Sequence, residues 1–225
     1  MEQKHLVLNY ESDPVCIDNG ILLFKNVFSL DDEDIKLINS IYYKNLELSI
    51  ESKDYMKNSI SRSLKKNNKE YLIKDIQKIL LNCLAKYCDY YPESIHSIQW
   101  QDSYQIIIND PGGSKHIFNP CSSYLKNDSI YLPPFSRQIV ADICLQDTTD
   151  NYLSNFLYMD IQKDFSLSSG DIVLYPANFL WSRNEGGIID GRSIYLRTFF
   201  NGGKDTDSDE LVEKENNDIF SSYMR

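Results

Sequence analysis

The residues that could do chemistry gather in the second half of the chain. Residues 170–200, "GDIVLYPANFLWSRNEGGIIDGRSIYLRTFF", join a glycine turn, an apolar run stopped at Pro176 and a second run that opens on Arg192. Strand alternation groups Arg192 with Ile194, Leu196, Thr198 and Phe200, an apolar and inward set. A cation on an inward face must meet an anion or several acceptors, because burying it alone is very costly. Two readings stay open. The planar guanidinium forks onto the carboxylate of a bound ligand, or it pairs internally with Asp142 or Asp171.

Other chemistries find little support. The chain has three histidines, His5, His96 and His116, so none follows residue 116. The five cysteines, Cys16, Cys83, Cys88, Cys121 and Cys144, include no CxxC pair, which leaves zinc-ligand spacing and a disulfide framework unsupported. GxSxG, P-loop and GxGxxG motifs are absent. "DPGGSK", residues 110–115, lacks the full phosphate-loop spacing and a following helix, and reads as a surface turn.

Composition narrows the classes further. A net charge of -10 repels phosphate backbones and disfavours nucleic acid as a partner. The small basic cluster at Lys65, Lys66 and Lys69 reads as a solvated helix approach. No run reaches transmembrane length and the N-terminus has no apolar leader, so the expectation is cytoplasmic synthesis with reduced thiols and no membrane partner.

These residues need elements to position them. "GILLFKNVF", residues 20–28, reads as a strand. It is followed by a helix start with Ser29 as N-cap and Asp32 at the third position. "EYLIKDIQKILLNCLAKYCDYYP" is the strongest helix, with Leu72, Ile76, Ile79, Leu80, Cys83 and Tyr87 as one apolar stripe and the acids opposite as a solvated face. From Ile95 onward the pattern becomes strands: "SIQW", "SYQIII", "RQIVADICLQ", "NFLYMDIQ", "GDIVLYP" and "RSIYLRTFF". Two helices followed by six such runs predict an α+β fold, a sandwich or jelly roll with helices packed on one sheet. The expected organisation is one domain over residues 1–203, helical at about 29–92 and β at about 95–203, then an acidic tail at 204–225. Seven acids lie between Asp205 and Asp218, and the tail ends in the apolar "IFSSYM", which reads as a frayed terminus or as an anchor for a partner.

The order helix, helix, jelly roll, then "Y…H…R…GD…P…GR" resembles the 2-oxoglutarate- and Fe(II)-dependent dioxygenases of the prolyl-4-hydroxylase type. The small versions encoded by phages are the most similar. The resemblance covers roughly residues 20–203 and implies a double-stranded β-helix. It also implies a site in which two histidines and a carboxylate face one iron, with an arginine on the distal carboxylate of 2-oxoglutarate. On that pattern His116 falls at the first ligand position and Tyr104 about a dozen residues before it. Phe118 stands where the carboxylate belongs. The second histidine is due near Trp181 to Arg183, where neither is histidine. Arg192 matches the cosubstrate arginine and, with Tyr104, is a candidate contact to 2-oxoglutarate. Arg183 would put a fixed cation near the former metal position.

With two of three ligands lost, the expectation is a fold without an iron site. It would bind neither Fe(II) nor 2-oxoglutarate as a cofactor, and would be retained for a structural or interaction role with a protein partner, a phage virion component being one such role. Two alternatives stand beside it. One is an active hydroxylase in which Glu185 or Asp190 supplies an irregular ligand. The other is a non-catalytic module that holds a dicarboxylate.

Overall fold

The computed structural model describes residues 5–18, 20–37, 40, 70–92, 98–101, 104–109, 112, 116–118, 137–147, 154–158, 161–177, 182–185 and 190–202. The expectations placed on Lys65, Lys66, Lys69, His96, Cys121, Trp181, most of the 110–115 turn and the tail from 204 lie outside these residues.

Thirteen strands and two helical segments are described. They are β1 (Val7–Leu8), β2 (Pro14–Asp18), β3 (Ile21–Phe24), β4 (Phe28–Ser29), α1 (32–37), α2 (Glu70–Tyr90), β5 (Ile98–Gln101), β6 (Gln105–Asn109), β7 (His116–Phe118), β8 (Arg137–Asp147), β9 (Ser154–Tyr158), β10 (Ile161–Phe165), β11 (Ile172–Pro176), β12 (Ser182–Glu185) and β13 (Ser193–Gly202). Strands β2-β3-β11-β8-β13-β5 form the main sheet, with β6 also paired to β13. Strands β10-β9-β12-β7 form a second sheet, and β1-β4 a small ribbon. Every described pairing is antiparallel. The fold is α+β, as expected.

The main sheet is covered on both sides, which explains its nearly unbroken apolar runs. One face meets α2: Leu72, Ile76, Ile79, Leu80, Cys83 and Tyr87 pack with Ile139, Ala141, Ile143, Leu174, Ile194, Leu196 and Phe200. The residues of opposite parity, Val140, Cys144, Val173, Tyr175 and Phe199, form a second cluster with Ile21, Leu23 and with Phe165 of β10. That cluster is the space between the two sheets.

Local chemistry sets the breaks. The predicted strand at 20–28 divides into β3 and β4 because Asn26 takes a positive φ of 51°. Asp171 holds that bend, its Oδ1 accepting the Asn26 N–H at 2.8 Å and its Oδ2 accepting the Ser168 N–H at 2.9 Å. Gly170 before it has φ 88°, and a Cβ there would lie 2.0 Å from the Phe28 carbonyl oxygen. The "GD" pair is thus a clasp between β4 and β11, and Asp171 is not the partner of a buried arginine.

Three expectations change. The cap of α1 is Asp31, whose Oδ1 accepts the Asp34 N–H at 2.9 Å, two residues beyond Ser29. Asp75 lies on the face of α2 expected to be solvated, yet it is 2% exposed. It accepts the Leu6 N–H at 3.0 Å and contacts Lys78 Nζ at 3.0 Å and His5 Nδ1 at 3.1 Å. "NFLYMDIQ" falls in two strands, β9 and β10, that pair as a hairpin.

Candidate functional site between the sheets

Arg197 is the buried arginine of β13, not Arg192. Arg192 precedes the strand and is half-buried. Ile194, Leu196 and Phe200 do share one face, but the main sheet buries both of its faces. Ile194, Leu196 and Phe200 face the helix, while Tyr195, Arg197 and Phe199 carry the opposite parity.

The neighbours of Arg197 follow from register. Arg197 lies opposite Asp142 on β8, and Asp142 lies opposite Val173 on β11, which makes Tyr175 a diagonal neighbour on the same face. The guanidinium grips the carboxylate with two bonds, Nε to Oδ1 at 2.7 Å and Nη2 to Oδ2 at 2.9 Å. The Tyr175 hydroxyl donates to Oδ2 at 2.9 Å. Asp142, Tyr175 and Arg197 are 0%, 0% and 1% exposed, so the whole unit is dry. Such a bidentate pair keeps the charge-assisted bonds that an isolated buried ion would lack.

The opposite sheet closes over this pair. The Phe118 ring centroid stands 3.5 Å from the Arg197 Cζ, and the Tyr195 ring lies 5.4 Å from it. Phe118 also meets Phe199 at 6.4 Å between centroids. A guanidinium face against an aromatic ring is favourable and stronger out of water. Phe118, Arg197 and Asp142 therefore form one stack that runs from β7 across the interior to β8.

The predicted site residues are partly brought together. β12 pairs with β7, with Arg183 opposite Phe118 and Glu185 opposite His116, so these four register positions share one face of the second sheet. The side chains of His116, Arg183 and Glu185 lie outside the described set. Tyr104 is elsewhere. It packs against the helix-facing core and donates its hydroxyl to Gln77 Oε1 of α2. Burial raises its phenol pKa far above the ordinary value.

Of the residues expected to face an iron, Phe118 alone has a described side chain. Phe118, two residues after His116, has no lone pair to offer and lies on the Arg197 guanidinium. The nearest described interior carboxylate, Asp142, accepts three hydrogen bonds from Arg197 and Tyr175. Among the described residues no three His, Cys, Asp or Glu side chains come together as a metal site would require. The buried arginine of β13, Arg197, already holds a carboxylate of its own chain.

Arg197 and Asp142 were not singled out as a pair from sequence. The signal was present: Asp142 interrupts the apolar run "IVADICL" and Arg197 interrupts "IYLRTFF". Charges in the middle of strands buried on both faces must find each other.

No protein-family profile and no curated protein matches the chain. Solved structures do. A viral collagen prolyl hydroxylase from Paramecium Bursaria Chlorella virus-1, in complex with 2OG, aligns at TM-score 0.50 and 13% identity over 84% of this chain and 99% of that one. A prolyl 4-hydroxylase from Phytophthora capsici aligns at TM-score 0.51 and 10% identity over 83% of this chain, which spans only 60% of the other's length. At such identities the likeness is one of fold: the double-stranded β-helix of the 2-oxoglutarate/Fe(II) oxygenases.

Proposed function

We propose that this protein is a non-catalytic member of the oxygenase fold that serves a structural or interaction role with a protein partner. A component of a phage virion or of its assembly is the form of that role implied by the sequence resemblance. One observation carries the reading. The interior position that would face a metal is filled by the Phe118–Arg197–Asp142 stack, in which the cation and the carboxylate satisfy each other. The scaffold of an oxygenase is kept while its polar interior is turned inward on itself.

The test is turnover and binding together. With Fe(II), ascorbate and 2-oxoglutarate, the full chain is expected to form no succinate above a protein-free control. Its melting temperature is expected not to move with millimolar 2-oxoglutarate, since a ligand specific for the native state must raise it. Succinate formation, or a shift of several degrees, overturns the reading. Because Glu185 lies opposite His116 in register, the irregular-site hydroxylase is the second reading. In that case Glu185→Gln would abolish the succinate seen.

A further inference from the structure

The first described residues lie along one flank of α2 rather than in the main sheet. Leu6 donates its N–H to Asp75 Oδ2 at 3.0 Å, and His5 Nδ1 lies 3.1 Å from the same oxygen. Further along the helix Lys86 Nζ donates to the Tyr10 and Ser12 carbonyls at 2.9 and 2.8 Å. Asp75 and Lys86 are about three helical turns apart, which puts them on one flank at about 16 Å along the axis. An extended chain covers that distance in about five residues, the spacing from Leu6 to Tyr10–Ser12. The segment therefore runs beside α2 in the same direction, tied at each end by a charged side chain. Its other bonds go to β4 and the bend before it. β1 pairs with β4 at Val7 and Leu8, the Asn9 N–H donates to the Val27 carbonyl at 2.8 Å, and Ser12 Oγ donates to the Lys25 carbonyl at 2.8 Å. Little apolar surface adds to this. Leu6 is buried and Leu8 half-buried, while Val7, Asn9, Tyr10 and Glu11 are exposed. The next strand is held differently. β2 pairs with β3 from Pro14 to Asp18, and Lys163 ties Asp18 to β10 at 2.9 Å.

We propose that residues 5–12 form a strap that opens as one unit ahead of the core and so gates this flank of α2. Closed, the strap is held at Asp75 and Lys86 at once. Ordering an extended segment costs conformational entropy at every residue, and one anchor alone does not return it. Release at either anchor therefore loosens the other. Opening uncovers the Asp75 carboxylate, the Lys25 and Val27 carbonyls and the apolar surface under Leu6 together. Lys78, whose Nζ lies 3.0 Å from Asp75 Oδ1, stays with the helix and keeps the carboxylate paired when the strap leaves. Pro14 is the hinge, since the sheet pairing of β2 begins there. The strap concerns the outside of the helix and does not depend on the interior being inert.

Amide hydrogen exchange of the full chain, read residue by residue, tests the strap. Leu6 and Asn9, whose N–H groups are bonded to Asp75 and Val27, are expected to share one level of protection, about 100-fold or more below that of Ile79 and Leu80 in the helix. Their exchange should respond little to low urea, because a local opening exposes little surface, while that of Ile79 and Leu80 should climb steeply. Lys86→Met, which keeps the stem and removes the donor, should speed exchange about tenfold at Leu6 as well as at Asn9, although Leu6 is bonded at the far anchor. Asp75→Ala should do the same at Asn9. Ser12→Ala, which removes only the Lys25 contact, should act on both amides in the same direction and by less. The proposal is overturned if Lys86→Met leaves Leu6 unchanged, for then each end moves alone. It is equally overturned if Leu6 and Asn9 share the steep urea dependence of the core, for then the segment opens only when the whole chain unfolds. Succinate formation bears on the interior alone, so the strap and the proposed role fail separately.

Discussion

The two faces of β13 handle buried polarity in different ways. Toward α2 the polar groups are neutral and linked in series. Gln77 Nε2 donates to Gln101 Oε1 at 2.6 Å, Gln101 Nε2 donates to Thr198 Oγ1 at 3.2 Å, and Tyr104 donates to Gln77. Toward the second sheet a carboxylate and a guanidinium grip each other, with the Tyr175 hydroxyl donating to the same carboxylate. A neutral chain that loses a member leaves one unsatisfied atom. An ion pair that loses a member leaves a bare charge in a dry interior. The barrel side should therefore be the more sensitive to single substitutions, even though the helix side has the larger apolar core.

Breaking the ion pair gives the largest expected effect. Asp142→Asn removes the carboxylate charge that the guanidinium grips and should cost about 3–5 kcal/mol in urea unfolding, as should Arg197→Met. The double variant Asp142→Leu with Arg197→Met should recover most of that loss, because an apolar replacement of a whole buried pair is often neutral. Single costs under about 1 kcal/mol would erase the contrast between the faces. Next in size is Phe118→Ala, which removes the ring over the cation. At this half-buried position a loss of about 2 kcal/mol follows from the missing packing and cation–π contact. On the helix face Tyr104→Phe should cost only about 1 kcal/mol, one hydrogen bond. Combined with Asp142→Asn it should add within about 0.5 kcal/mol if the faces are independent.

Sequence reading reached the scaffold more securely than the site. The α2 stripe and the long strands β8, β11 and β13 were legible because long periodic runs carry strong signals. β2 and β12 went unseen, one an exposed edge and the other polar, "SRNE", so neither shows apolar alternation. Phe118, which the resemblance places at a ligand position, caps the Arg197 cation. The arginine was misassigned because period-two alternation separates the faces without saying which covers the barrel. Asp75 was misread for a related reason. As an acid it is grouped with the solvated face, yet it flanks the apolar stripe, three residues after Leu72 and four before Ile79, and the N-terminal segment at His5 and Leu6 lies over it.

Asp75 also provides the smallest and most selective test, since it lies between the two extremes: one buried carboxylate held by a backbone amide and by the surface side chains of Lys78 and His5. Burial pulls its carboxyl pKa upward, but the hydrogen bonds from Leu6, Lys78 and His5 together outweigh this and hold it below the ordinary 3.8. A carboxylate whose folded pKa is depressed contributes stability that is complete above the unfolded value and is lost as pH falls through the folded one. Unfolding free energy measured from pH 7 to pH 3 should therefore separate the parent from Asp75→Asn most widely near neutrality, and the gap should close on the acid side of 3.8. The Asp142→Asn variant tests the contrast on the same axis. A helix-side carboxylate paired with a half-exposed lysine should be screened by salt, while the interior pair should not. Adding about 0.5 M salt should thus narrow the Asp75→Asn gap and leave the Asp142→Asn gap in place. Equal narrowing of both would mean that the interior is wet, and that the two faces of β13 differ in composition but not in environment.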